Sequence, residues 1–317
     1  MVQWYVWTGF IGFVFCVLAL DLGLVHRRAH EVRYREALTW TGVWVALAIS
    51  FAGIVWAWRG GRTAGEFLAG YLIEWSLSLD NVFVWILIFT HFSVPARYQH
   101  RVLFWGVIGA VALRLGFILG GAALLHRFHW AIYVFGGLLL VTAVRFLRQR
   151  DREVSIGESA ILRGIRRVLP MTEGYEGQRL TARRNDRLAA TPLLAVLIMV
   201  EGTDVVFAVD SVPAIFAVTT DAFVVFASNA LAILGLRSLY FVLARAVGRF
   251  RYLKPALAAL LGFVAVKMLI SSWIEIPIPV SLAVIAAILG AGALVSLLNP
   301  EGQKSDRASS SPSPGTR

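Results

Sequence analysis

Two stretches decide how this chain folds: Glu74-Trp75-Ser76-Leu77-Ser78-Leu79-Asp80-Asn81 and Glu201-Gly202-Thr203-Asp204-Val205-Val206-Phe207-Ala208-Val209-Asp210-Ser211-Val212-Pro213. Each puts carboxylates inside an apolar run of the length that crosses a ~30 Å hydrocarbon core, roughly 20 residues. A charge near the bilayer centre costs ~2.5–3.5 kcal/mol even on insertion scales, so such acids need a reason. Each stretch contains an acid, five other residues, a second acid and a small polar residue: Glu74/Asp80/Asn81 and Asp204/Asp210/Ser211. A single Arg follows in the next span each time, Arg114 and then Arg237. The motif therefore occurs twice, three spans apart. An odd offset reverses direction, which predicts an inverted three-helix repeat with its site near the midplane.

The rest of the chain agrees with a membrane setting. Of 317 residues, 58% are apolar and only 15% charged, against about 25% in soluble domains. Mean hydropathy is +0.71. Twenty Phe and eleven Trp accompany a single Cys. Disordered chains, disulfide-stapled scaffolds and most soluble enzymes are excluded. Apolar runs predict an all-α polytopic protein of about nine transmembrane helices, near 4–25, 37–58, 66–91, 102–125, 130–147, 191–218, 222–244, 255–274 and 279–298. The first lacks a basic leader and a small-residue cleavage site, so it is expected to be retained.

Net charge is +11, and its distribution is topological. With the N-terminus outside and the C-terminus inside, the inner segments hold Arg27, Arg28, Arg33, Arg35, Arg97, Arg101, the run of Arg between 145 and 187, and Arg245, Arg249, Arg251 and Lys254. The outer segments hold only Arg59, Arg62 and Arg127, as the positive-inside rule requires. Nucleic acid is not needed as a partner; the lipid bilayer is. A transmembrane domain is expected over 1–298, followed by a disordered cytoplasmic tail over 299–317, rich in Ser and Pro. Residues 148–190 read as a basic cytoplasmic loop, whose amphipathic stretch 161–169 suits the anionic leaflet, a gate or a docking partner.

Converging carboxylates, an amide, a hydroxyl and backbone carbonyls make a hard, oxygen-rich site. Mn²⁺, Ca²⁺ or Mg²⁺ fits it better than Zn²⁺ or Cu⁺, and no His pair or second thiol offers a soft alternative. At 100° per residue, Glu74, Ser78 and Asn81 share one helix face, while Asp80 lies about 120° from Glu74. Pro213 removes an N–H donor, which predicts a kink or unwinding there. Three basic residues lie within the spans: Arg114, Arg237 and Lys267. They can pair or gate, but they cannot neutralise five embedded acids. Further possible auxiliaries are Asp21, as a snorkelling cap, salt bridge or ligand, Glu201, and Asn229, as an inter-helix hydrogen bond or a ligand.

The stretches 74–85, 98–106, 169–177, 201–219 and 228–241 resemble the TerC/Alx family of integral membrane proteins over about residues 1–298. The resemblance implies a bacterial inner-membrane protein, in a family named for tellurite resistance and linked in part to manganese export. It also implies an inverted-repeat transporter group, with the ion site on Glu74, Asp80, Asn81, Asp204, Asp210 and Ser211. Tellurite is an oxyanion that an acid-lined site repels, so resistance would be indirect. The expectation is a divalent metal transporter, foremost a Mn²⁺ exporter, with no tightly bound cofactor. The alternative is a non-transporting scaffold for membrane-protein assembly or the envelope stress response. No nucleophile–base set or phosphate-cradling loop suggests an enzyme.

Overall fold

The computed structural model describes residues 3–20, 34–128, 130–148, 172, 174–175, 177–184, 187–244, 253–274 and 276–298. Asp21, the 161–169 stretch and the tail lie outside the described residues. The chain is an all-α polytopic membrane protein. Its helices are α1 (Trp4–Leu20), α2 (Tyr34–His91), α3 (Ala96–Arg127), α4 (Ala131–Arg148), α5 (Pro192–Phe216), α6 (Ala222–Leu243), α7 (Leu253–Ile270) and α8 (Ile278–Leu298). Six of these are long and apolar enough to cross a membrane; α1 and the 255–270 part of α7 are apolar but shorter.

Two boundaries differ from the sequence reading. The spans near 37–58 and 66–91 are two helical limbs of α2 that meet, with no loop between them, at Gly60, whose φ of 85° and ψ of 171° are non-helical. Glycine reaches this left-handed φ without a Cβ clash, so the chain changes direction without a separate loop. Helix α5 does not unwind at Pro213 but stays helical to Phe216. Pro213 sits in the last turn, where the lost N–H frees only one carbonyl, and its own carbonyl accepts from Ala217 N–H at 3.1 Å.

Helix α6 is the centre of the bundle. It is apolar on all sides, and every residue from Phe223 to Tyr240 is buried, the expected place for a helix without a polar face. The most extensive helix contacts are α2 on α6, α4 on α7 and α3 on α5. Asp221 caps α6, its Oδ1 accepting from Phe223 N–H at 3.0 Å and Val224 N–H at 3.4 Å. Close approach of α2 depends on Gly70, where an added Cβ would lie 2.7 Å from Ser228 Oγ and 3.0 Å from Ile215 Cγ2. Gly70→Ala should therefore lower stability by about 1–3 kcal/mol, read as a lower melting temperature in detergent.

A short hairpin, absent from the sequence reading, lies in the basic loop. β1 (Thr181–Arg184) and β2 (Arg187–Ala190) pair antiparallel, with Thr181 opposite Ala190 and Arg184 opposite Arg187. The loop is tied to the helices: Tyr175 Oη donates to the Phe92 carbonyl at 2.7 Å, and Thr191 Oγ1 donates to the Arg179 carbonyl at 2.8 Å.

Trp4, Trp56, Trp58, Trp130 and Trp273 are exposed, as the residues of an interfacial belt are. Trp7 instead turns inward and stacks on Phe226 at 5.8 Å between ring centroids.

Candidate ion site

The repeated motifs lie on α2 and α5, and their equivalent positions meet pairwise. The first acids, Glu74 and Asp204, are both buried and converge on Arg114 of α3. Arg114 Nη1 donates to Glu74 Oε1, and Arg114 Nη2 donates to Asp204 Oδ1 at 3.0 Å. The same Nη1 donates to Ser211 Oγ at 2.9 Å. Asn229 Nδ2, from α6, donates to Glu74 Oε2 at 3.0 Å, and Ser78 Oγ reaches Glu74 Oε1 at 3.4 Å. One guanidinium thus bridges both copies of the motif. In a low-dielectric interior this neutralises one of the two carboxylate charges.

The second acids meet elsewhere. Asp80 and Asn81 of α2, with Asp210 and Ser211 of α5, line one small cavity of about 20 Å³, closed by Leu77, Phe146, Phe207 and Leu261. That is about the space of a single water-sized sphere. Thr142 of α4 donates to Asp210 Oδ1 at 2.9 Å, and Arg145, one turn on, acts electrostatically on the same carboxylate. Asn81 is buried, yet neither its Oδ1 nor its Nδ2 has a hydrogen-bond partner. A buried amide left without partners is costly, and such groups ordinarily find them.

The six motif residues therefore form two adjacent groups, joined at Ser211, rather than one shell. The separation follows from the 120° between Glu74 and Asp80 around α2. Among the described residues, no three His, Cys, Asp or Glu side chains come together as a metal-holding group. The oxygen donors at the cavity are two carboxylates, an amide and a hydroxyl. Mn²⁺, Mg²⁺ and Ca²⁺ accept such donors together with water.

The other sequence candidates are dispersed. Asn229 joins Glu74, not the cavity. Arg237 is buried among Leu18, Trp44 and Phe104, so the two equivalent arginines have different surroundings. Lys267 Nζ donates to Ser281 Oγ of α8 at 2.9 Å. Nearby, Arg59 pairs with Asp221 at 2.6 Å, and Glu66 accepts from Thr219 Oγ1 at 2.8 Å and pairs with Arg62 at 3.3 Å. Glu201 packs on α3 against Gly109, away from the cavity. Thr142 was missed from sequence, although a lone hydroxyl three residues before Arg145 in an apolar span was visible.

Residues 60–304 match the Integral membrane protein TerC family. The chain is 53% identical over 293 residues to the uncharacterised membrane protein STKORF319 of Myxococcus xanthus, covering 92% of each. It is 47% identical over 293 residues to a proposed membrane-bound redox modulator, Alx, of Escherichia coli K12, covering 89% of this chain and 91% of that one. A membrane protein of Rickettsia bellii is 38% identical over 292 residues, covering 92% and 97%. No solved structure matches. The matched span takes in both acidic motifs and the Arg114 that bridges them, and the chain belongs to the TerC family of integral membrane proteins.

Proposed function

We propose that the protein is a divalent-cation transporter of the bacterial inner membrane, exporting Mn²⁺ by alternating access. The observation that carries this reading is the cavity where Asp80-Asn81 and Asp210-Ser211 face each other, with the Asn81 amide buried and unpartnered. Pairing of equivalent motif positions, Glu74 with Asp204 and Asp80 with Asp210, supports an inverted repeat. Counting the two limbs of α2 separately supports nine spans, with the N-terminus outside. In the mechanism, Mn²⁺ is the substrate. Asp80 and Asp210 supply the charge that draws it from the cytoplasm, and Asn81 and Ser211 replace part of its water shell. Arg114 holds Glu74 and Asp204 as a fixed neutral-leaning strut between α2, α3 and α5, so the two copies move about a common pivot. No covalent chemistry is needed, which makes the protein a carrier and not an enzyme.

The decisive measurement is Mn²⁺ flux in proteoliposomes. Saturable Mn²⁺ uptake, competed by Mg²⁺ or Ca²⁺ only at higher concentration, is expected; absence of flux under every imposed pH gradient would sink the reading. A scaffold is the second reading, favoured by the Tyr175 contact that ties the basic loop to the helices. Deleting part of 148–171 separates the two: a transporter keeps flux, whereas a scaffold loses its cellular effect while Asp80 and Asp210 stay intact.

A further inference from the structure

An open groove of about 940 Å³ runs along α3, α4 and α5, and neither Asp80 nor Asp210 lines it. Its walls are apolar, with Leu113, Phe117, Phe135 and Val209 among them, and on α3 Gly116 and Gly120 face open space. Among the described residues that line it, Glu201 is the one titratable side chain. The Glu201 carboxylate lies flat against Gly109, where an added Cβ would fall 2.1 Å from Oε1, so that helix position accommodates the acid by having no side chain. Glu201 Oε2 is buried without a hydrogen-bond partner. Glu201 sits nine residues beyond Pro192 on α5, about 14 Å along the axis, the depth of a bilayer centre.

We propose that Glu201 is a proton-binding site, separate from the metal cavity, that carries the proton exchanged for the exported cation. A carboxylate oxygen without a partner in apolar surroundings is costly, and a bound proton removes that cost without calling for further ligands. The charges around it are accounted for. Asp204 lies three residues on along the same helix. Arg114 of α3 is engaged by Glu74 and Asp204, and Arg145 of α4 acts electrostatically on Asp210. From α2, Glu74 belongs to the Arg114 cluster and Asp80 to the metal cavity, while Lys267 of α7 is held by Ser281. Because Glu201, Asp204 and Asp210 ride on one rigid helix, a displacement of α5 that changes access to the metal cavity also changes access to Glu201. Protonation is a simple association, carboxylate plus proton to carboxylic acid, with no other reactant. The coupling half of the inference rests on the transport reading above.

The test uses dicyclohexylcarbodiimide, an apolar reagent that adds to protonated carboxyls in apolar surroundings, on the whole protein in proteoliposomes. Mass spectrometry should place the adduct on Glu201, with yield falling at least tenfold as pH is raised and none in Glu201→Gln. Glu201→Gln should keep Mn²⁺-dependent thermal stabilisation and Mn²⁺/Mn²⁺ exchange but lose at least tenfold of the uptake driven by a pH gradient. Glu201 left unmodified at every pH, or gradient-driven uptake unchanged in Glu201→Gln, overturns the proposal. If the wild type shows no Mn²⁺ flux, the transport reading fails, while labelling still decides the proton site.

Discussion

Neutralising either cavity acid, Asp80→Asn or Asp210→Asn, should weaken Mn²⁺ binding by roughly a hundredfold or more, because hard-cation affinity is set largely by ligand charge count. The two side chains enter the same small cavity from α2 and α5, so each substitution removes half of its formal negative charge. The double substitution should then be scarcely worse than either single one, since residues acting on one ion are not additive. Both replacements keep side-chain volume, so the packing of Leu77, Phe146 and Leu261 around the cavity should persist. Isothermal titration with MnCl₂, together with melting temperatures in detergent, checks the expectation. Normal affinity in both variants, with a lowered melting temperature, would make the pair structural and remove the metal from this cavity.

Arg114→Gln should be the most damaging single change to the fold itself. The guanidinium bridges Glu74 and Asp204, all three buried, and removing it leaves two uncompensated carboxylates in the interior. Breaking a buried pair from one side costs about 3–5 kcal/mol, and here two partners are orphaned together. Adding Glu74→Gln and Asp204→Asn to Arg114→Gln should restore much of the lost stability, because an all-neutral cluster has no buried charge to compensate. Thermal unfolding of the single and triple variants reads this directly. A triple variant no more stable than Arg114→Gln alone would show that Arg114 acts through its packing and not through its charge. The same variants separate the two halves of the site: the strut should govern stability, the cavity ion affinity.

Helix periodicity made part of this division legible in advance. Glu74 and Asp80 are six residues apart, a spacing that cannot bring both to one helix face, and they do serve different neighbours. What spacing could not say is which neighbours. Arg114 and Arg237 occupy equivalent places after the two motifs, yet only Arg114 meets motif acids in the contacts described, while Arg237 packs among Trp44 and Phe104. Thr142, the partner of Asp210, belongs to a span whose local pattern carries no acid and drew no notice.

The apolar runs by themselves determined that the chain is a helical membrane protein, because a segment of about 20 apolar residues has no other low-energy solution in hydrocarbon than a helix with its backbone bonds closed. They also placed the two acidic motifs inside the membrane. Only the tertiary structure decided that Glu74 and Asp204 share one guanidinium while Asp80 and Asp210 share one cavity, and that Glu201 faces an apolar space alone. It also decided that two expected spans meet at Gly60 without an intervening loop and that a hairpin forms in the basic loop. The reason is one of range. Which face a residue occupies is set within a few residues of chain by the 3.6-residue turn. Which helix lies against that face is set by packing between segments far apart in the chain, 155 residues in the case of Glu74 and Asn229, and no local pattern encodes it.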